Sequence, residues 1–245
     1  MNLLILKPEE VTPDGRVKLQ GRRAEHLLKV RRVNVGDRIV AGLLGGARGE
    51  ATISEISPPR LTLELSVDGD AQASAPATSL ILAIPRPKML QRVLQSVAAL
   101  GIADLDLTNS WKVEKSFLHS AKLSPENLHH QLLLGCEQGM TTWLPRFRIH
   151  QRFVEMLASR RPSEAGRRLL IADPTASHYF QPSDLNHRGE NLTLAIGPEG
   201  GWTDRELESF RDAGGELFKL SERILRVESA TSVVLGQLEL LRSMY

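Results

Sequence analysis

The segment from Leu192 to Ala230 constrains the fold of this chain more than any other stretch of its sequence. It begins with Leu192–Ile196, an apolar run whose length and composition are typical of a buried strand. The run ends in the glycine loop, defined here as Gly197–Gly201, where glycines permit backbone angles that side chains would forbid. Thr203 and Glu206 stand at the spacing of a capping box, which predicts that a helix starts there.

The second half of this segment predicts another strand and another loop. Glu216–Leu220 has strand character, Ser221–Val227 forms what we call the second loop, and a last helix is expected from about Glu228. Strand and helix patterns alternate through the C-terminal two thirds of the chain, which predicts an α/β fold with a parallel sheet. The glycine loop and the second loop are therefore expected at the carboxyl ends of neighbouring parallel strands, where open α/β sheets bind ligands.

The residues around the glycine loop limit what it can bind. Glu199 lies inside the loop, Asp204 and Glu206 follow it, and the loop itself contains no lysine or arginine. Its spacing matches neither the dinucleotide fingerprint nor the P-loop. We therefore expect a neutral or cationic ligand contacted by backbone groups rather than a phosphate. A purely structural turn is the alternative.

Composition narrows the class of protein. Of the 245 residues, 41% are hydrophobic and 24% are charged, as in ordinary globular proteins. The net charge is only +2, so any affinity for nucleic acid must come from a local patch. The single cysteine, Cys136, excludes an intramolecular disulfide framework and fits a reducing compartment. With no apolar stretch long enough for a signal peptide or a membrane span, a cytoplasmic location is expected.

Two sequence motifs, IGPEGGWTDRE and LSERILRVESA, together resemble the C-terminal signature of the RsmE family. These are SPOUT-superfamily methyltransferases that form N3-methyluridine in 16S ribosomal RNA. The resemblance implies a C-terminal SPOUT α/β domain with a deep trefoil knot, and S-adenosyl-L-methionine as the cofactor. It also implies a homodimer with the site at the subunit interface, and 16S ribosomal RNA of the 30S subunit as the substrate. Neither a metal nor a membrane is an expected partner.

The family motifs map onto three loops of this sequence. The family's glycine loop corresponds to Ile196–Gly201, its second loop to Leu220–Arg226, and a third loop to Asp173-Pro174. The expected cofactor contacts are Pro174, Ile196, Gly197, Pro198, Glu199, Gly200, Gly201, Leu220, Ser221, Ile224, Leu225 and Ala230.

Arg226 and Glu228 are the candidate catalytic residues. A uracil N3 carries a proton at neutral pH, and its removal costs roughly 2–3 kcal/mol if its pKa lies a couple of units above ambient. Arg226 would stabilise the anionic ring, and Glu228 would accept the proton or orient Arg226. The alternatives are a salt bridge between the two residues and, for Glu228, a carboxylate favoured only by the helix dipole.

Residues 1–70 predict a separate RNA-binding domain. Several short strands and one short helix suggest a small β-barrel, and RRAEHLLKVRRVNVGD resembles the PUA-like domain of the same family. Eight basic residues against two acidic ones between Arg16 and Arg38 favour phosphate contact, with a solvated basic face as the alternative. The RNA-binding candidates are Arg22, Arg23, Lys29, Arg31 and Arg32, extended by Arg86 and Lys88.

The expected domain order is a PUA-like β-barrel at 1–70, a linker at 71–78 and the SPOUT methyltransferase domain at 79–245. In the last helix, Val234, Leu238 and Leu241 share an apolar face that either completes the domain core or forms a two-fold interface.

Three positions depart from the family pattern, namely Ser96, Ala99 and Thr141, where family members carry lysine, glutamate and arginine. They leave two alternatives open: an RNA-binding or ribosome-assembly protein of the same fold without turnover, and a methyltransferase acting on a different nucleotide.

Overall fold

The computed structural model describes residues 1–67, 72–159, 167–181 and 185–244. The chain divides into two compact units. The N-terminal unit comprises Met1–Ser74 and Leu133–Leu144, and the C-terminal unit comprises Ala75–Leu132 and Pro145–Tyr245. Residue 71, where the expected linker begins, lies outside the described residues. The sequence-based division into functional domains stays a prediction.

The N-terminal unit is built on one open five-stranded sheet of order β1-β3-β4-β5-β2. Its strands are β1 (Leu4–Leu6), β2 (Arg16–Leu19), β3 (Arg38–Leu43), β4 (Arg48–Ser57) and β5 (Arg60–Val67). β1 pairs with β3 in parallel, and the other pairs are antiparallel. The sequence led us to expect a barrel, but the sheet forms a half-barrel. Among the described residues, β1 and β2 are its two edge strands and do not pair with each other.

One helix covers the core of this unit. It starts as α1 (Arg22–Glu25) and continues with π-helical turns over His26–Arg31. Ala24 and Leu27 are completely buried in a core that also contains Leu6, Leu19 and Ile53. A 3₁₀ turn at Pro8–Glu10 precedes β2.

The C-terminal unit contains the expected parallel sheet, with six strands in the order β11-β9-β10-β6-β7-β8. The strands are β6 (Thr78–Ala83), β7 (Asp104–Thr108), β8 (Arg146–His150), β9 (Arg168–Ala172), β10 (Leu192–Ile196) and β11 (Gly215–Phe218). β6 and β10 are buried along their whole length, which explains their nearly continuous apolar sequences.

Six helices and one 3₁₀ turn of the described chain accompany this sheet. They are α2 (Pro87–Leu100), α3 (Lys115–Leu118), the 3₁₀ turn Ala121–Leu123, α4 (Pro125–Gly139), α5 (Phe153–Ala158), α6 (Asp204–Asp212) and α7 (Val227–Ser243). Residues 133–139 of α4 belong to the N-terminal unit. Within the described ranges, no helix is long and apolar enough to cross a membrane.

One expectation about the sheet is wrong. β10 and β11, which precede the glycine loop and the second loop, are not neighbours, because β9 lies between them and pairs with both. The strands are nevertheless parallel, so the loops that follow β9, β10 and β11 all leave from the same edge of the sheet. The loop after β9 thereby becomes a third wall of the site.

The apolar face of α7 belongs to the core of the C-terminal unit. Val234, Leu238 and Leu241 are at most 9% exposed within the single chain. Burial of this face therefore needs no second subunit. The opposite side of α7 carries Leu240, which is 63% exposed, and Gly236, where an added Cβ would meet no atom within 4 Å.

Candidate functional site

The loops that follow β9, β10 and β11 enclose a cavity of about 210 Å³, which we call the loop cavity. Every cofactor residue expected from the sequence lines it, from Pro174 through the glycine loop to Ala230. Four lining residues had no expected role, namely Ala172, Trp202, Arg223 and Val227, and Asp173 of the expected third loop lines the cavity beside Pro174. The structure thus brings the three sequence-predicted loops to one place, although they are far apart in the chain.

The glycine loop has the backbone that its composition predicts. Gly201 has a φ of +70°, a left-handed conformation that disfavours any side chain, and its N–H donates to the Pro198 carbonyl at 2.8 Å. A Cβ at Gly197 would lie 3.2 Å from the Trp202 backbone N and from its Nε1. The predicted capping box is confirmed, since Thr203 N–H donates to Glu206 Oε2 at 2.8 Å and Glu206 N–H donates to Thr203 Oγ1.

Lys112 supports the glycine loop from outside its own sequence segment. Its Nζ donates to the Gly200 carbonyl at 2.9 Å and to the Trp202 carbonyl at 3.2 Å. The adjacent Trp111 N–H donates to Glu206 Oε1 at 2.9 Å. A cation that the local sequence lacks is therefore supplied by the segment after β7, and the Glu206 carboxylate is already occupied by backbone donors.

An aromatic cluster lies beside the loop. The Trp202 ring contacts Phe210 with centroids 5.1 Å apart and Phe153 at 5.8 Å, and Phe153 contacts Phe210 edge-on at 4.9 Å. The buried Trp202 Nε1 has no hydrogen-bond partner within the described chain. Trp202 lines the loop cavity, but this nitrogen itself has almost no accessible surface.

Asp173 shapes the third loop. It is 6% exposed, its backbone N–H donates to the Phe218 carbonyl, and its Oδ1 accepts from Thr175 N–H at 2.8 Å. This turn holds Pro174 in the wall of the loop cavity.

A second cavity of about 710 Å³ adjoins the first. Its lining contains three cations, three carboxylates and an aromatic ring: Arg86, Lys88, Arg226, Glu114, Glu199, Glu228 and Phe117, with Pro87 and Met89. Glu199 lines both cavities, and its Oε1 accepts from the Arg86 N–H at 3.2 Å. The two cavities therefore share one carboxylate as a wall.

The two candidate catalytic residues line this second cavity. Along the chain from Leu225 to Glu228, Leu225 and Val227 line the loop cavity, while Arg226 and Glu228 line the second one. Arg226 is exposed, and its side chain makes no hydrogen bond or ion pair with any described residue. The alternative in which Arg226 forms a salt bridge with Glu228 is not what the structure contains.

The predicted RNA-binding residues fall into three groups. Arg22 donates to both oxygens of Glu137, at 2.8 and 2.9 Å, and Arg23 bonds Glu10 and the Ile5 carbonyl, so both are engaged inside the N-terminal unit. Lys29 pairs with Glu25 at the surface, and Arg31 and Arg32 are exposed. Arg86 and Lys88 lie in the second cavity instead.

Cys136 carries no reactive chemistry in the folded chain. It is completely buried, and burial raises the pKa of its thiol to about 12. Among the described residues, no cluster of three or more His, Cys, Asp or Glu side chains is arranged to hold a metal ion.

Residues 73–239 match the family model described as RNA methyltransferase domain, and residues 19–66 match the model described as RNA methyltransferase PUA domain. The chain belongs to this RNA methyltransferase family. The second match confirms the PUA-like nature of the N-terminal unit. The RsmE assignment made from the two loop motifs is confirmed by these models together with the relatives that carry that name.

Named relatives extend the comparison over nearly the whole chain. The ribosomal RNA small subunit methyltransferase E of Treponema pallidum is 29% identical over 234 residues, covering 94% of this chain and 87% of the relative. The Bacillus subtilis protein of that name is 23% identical, covering 97% of this chain and 96% of the relative.

Solved structures share the fold. The Neisseria gonorrhoeae ribosomal RNA small subunit methyltransferase E, determined with bound S-adenosyl methionine, superposes with a TM-score of 0.78 at 23% identity and covers 98% of both chains. A Legionella pneumophila methyltransferase, determined with the same cofactor, has a TM-score of 0.78 at 20% identity, covering 98% of this chain and 97% of that chain.

Proposed function

We propose that this RNA methyltransferase uses S-adenosyl-L-methionine to methylate N3 of a uridine in 16S ribosomal RNA of the small subunit. The observation that carries the proposal is the pair of cavities that share Glu199 as a wall. One cavity has the three-loop lining expected for the methyl donor, and the other holds the two candidate catalytic side chains. The names of the relatives, and the cofactor bound to the Neisseria protein, support the same reaction.

The residues of the loop cavity fit the cofactor. Ile196, Leu220 and Leu225 offer apolar walls for an adenine ring, and the glycine loop offers backbone groups at close range. When bound there, the cofactor supplies an activated methyl group, so the protein has only to orient the acceptor and exclude water.

The second cavity supplies the groups that the acceptor requires. Removal of the uracil N3 proton costs roughly 2–3 kcal/mol near neutral pH if the pKa of N3 lies a couple of units above ambient. Arg226, which has no described ion-pair partner, lowers that cost by stabilising negative charge on the ring. Glu228, on the same side of the chain, accepts the proton or orients Arg226.

The finer features implied by the family belong to the same proposal. They are a deep trefoil knot in the C-terminal domain, a homodimer, and a cytoplasmic place of action, where the RNA substrate is found. After β10 the chain crosses β9 to form β11, and the loops that follow these three strands all line one cavity. This arrangement supports the knot. The exposed stripe of Gly236 and Leu240 on α7 supports the dimer.

Calorimetric titration with S-adenosyl-L-methionine tests the cofactor site. Gly201→Arg places a large side chain in the loop cavity, whereas Gly214→Arg introduces the same residue at a glycine of similar positive φ (+79°) that does not line it. We expect binding by the wild type and by Gly214→Arg, and no binding by Gly201→Arg. Binding by both variants, or no binding by the wild type, would contradict this assignment of the cavity.

Single-turnover methyl transfer to isolated 30S subunits, followed by nucleoside analysis, tests the reaction. N3-methyluridine is the expected product. Transfer to another position would favour a different target, which the departures at Ser96, Ala99 and Thr141 leave open. Cofactor binding without any transfer would favour the RNA-binding protein without turnover.

A further inference from the structure

The segment from Trp111 to Lys122 connects the two cavities. At its start, the Trp111 N–H donates to Glu206 and Lys112 Nζ donates to the Gly200 carbonyl, so it is fixed to the glycine loop. Further on, Glu114 and Phe117 line the second cavity. The segment therefore runs from the methyl-donor side of the site to the acceptor side.

The side chains of this segment have the composition of a single-stranded RNA contact. Trp111 is 86% exposed although its backbone is fixed, so its ring is held out to solvent rather than packed. Lys112, Lys115 and Lys122 are exposed on the same segment, as is His119, and Glu114 is the only carboxylate from 111 to 122. Aromatic rings that stack on bases, together with cations that follow the backbone, are the means by which proteins bind unpaired RNA.

We propose that residues 111–122 form an RNA-binding surface of the C-terminal unit, in which Trp111 stacks on an unpaired base and Lys115 and Lys122 contact phosphates. The strand concerned is the one that carries the acceptor nucleotide, a point that rests on the proposed function. The charge of the segment selects this partner, because an apolar protein surface would gain nothing from the exposed Lys115 and Lys122, whereas a polyanion gains from both.

Stacking by Trp111 is tested by fluorescence anisotropy with a labelled, uridine-containing single-stranded RNA. Trp111→Ala removes the ring and leaves the backbone bond to Glu206 in place. We expect its dissociation constant for RNA to rise about 10-fold, whereas Trp111→Phe, which keeps an aromatic face, stays close to the wild type. Val154→Ala is the matched control, because Val154 is 66% exposed on α5 of the same unit.

The phosphate contacts are tested by the salt dependence of the same titration. Lys115→Gln combined with Lys122→Gln should flatten the log–log salt slope by about 1.4, at roughly 0.7 for each contact to a single strand. Arg188→Gln combined with Arg211→Gln removes the same charge from exposed positions outside the segment. That control pair should leave the slope close to the wild-type value.

An RNA affinity unchanged in Trp111→Ala, a salt slope unchanged in the lysine pair, or no RNA binding by the wild type at low salt would each overturn the proposal. A change in oligomeric state on Trp111→Ala, measured by analytical ultracentrifugation, would overturn it in favour of a subunit contact. Calorimetry with S-adenosyl-L-methionine separates failure of this proposal from failure of the proposed function. A wild type that does not bind the cofactor would reject the proposed function, whereas the RNA titrations would still test the RNA-binding surface.

Discussion

At the scale of single residues, the chemistry of the proposed reaction depends on Arg226. A cation beside the acceptor ring stabilises the deprotonated form of uracil and so lowers the pKa of its N3 in the complex. Arg226 can do this because it lines the second cavity and has no described ion-pair partner. Without it, the same fraction of deprotonated acceptor is reached only at higher pH.

We therefore expect Arg226→Met to slow single-turnover methyl transfer by about 10- to 100-fold at neutral pH, from a loss of roughly 1.4–2.7 kcal/mol. The rate of the variant should continue to rise with pH after that of the wild type has levelled off. Arg223→Met is the control, because Arg223 lines the loop cavity alone and its loss should alter cofactor affinity and not the pH profile. Superimposable profiles for Arg226→Met and wild type would reject this role.

The sequence predicted the loop residues of the site but not the residues that reach it from elsewhere. Glycine loops and capping boxes are local, so their contacts to the cavity follow from short spacings such as Thr203 to Glu206. Lys112 lies 88 residues before Gly200, and only the path of the chain after β7 brings the two residues together. The alternation of aromatic and basic residues around it was the available signal.

At the scale of elements, the short helix of the N-terminal unit separates structural arginines from exposed ones. Arg22 neutralises Glu137, whose side chain is 2% exposed, and Arg23 bonds Glu10 and a carbonyl of β1. Charge alone made these residues look equivalent to Arg31 and Arg32. The contacts show that the first two anchor the helix, whereas the last two remain exposed.

This difference predicts opposite behaviour for two variants. Arg22→Met leaves a buried carboxylate unpaired and should lower the free energy of unfolding by about 1–3 kcal/mol, less than for a fully buried pair because Arg22 is partly exposed. Arg31→Glu with Arg32→Glu should leave the melting temperature nearly unchanged but weaken RNA binding and flatten its salt slope. Thermal denaturation and salt-dependent RNA titration check both, and unchanged RNA affinity in the double variant would reject the basic patch.

Strand β8 shows why element prediction was incomplete. The apolar spacing from His150 onward is typical of a helix and predicts one that starts at His150. The structure instead contains a strand at Arg146–His150 and a helix that begins at Phe153. The charged residues of this edge strand make its sequence unlike that of a typical buried strand. Arg146 and Arg148 lie opposite Asp104 and Asp106 of β7 and form ion pairs with them. Such cross-strand neutralisation is visible only once the pairing is known.

At the scale of the whole molecule, the division into units could not follow from composition. Residues 133–144 return to the N-terminal unit, where the Glu137 carbonyl accepts from the Asn2 and Leu3 N–H groups and the Thr142 carbonyl accepts from the Gly45 N–H. These backbone contacts leave no trace in residue type, and the ion pair of Arg22 with Glu137 joins residues 115 positions apart. The sequence of residues 133–144 therefore gives no sign that they join the N-terminal unit.

Assembly is the last property that belongs to this scale. If α7 forms a two-fold interface through Gly236 and Leu240, one substitution places two unpaired charges in it, because each subunit contributes the same patch. We expect the wild type to sediment at twice its 27.1 kDa mass and Leu240→Glu to sediment as a monomer. Val154→Glu, at an exposed apolar residue of α5, should stay dimeric. A monomeric wild type, or a dimeric Leu240→Glu, would remove this face of α7 from the assembly.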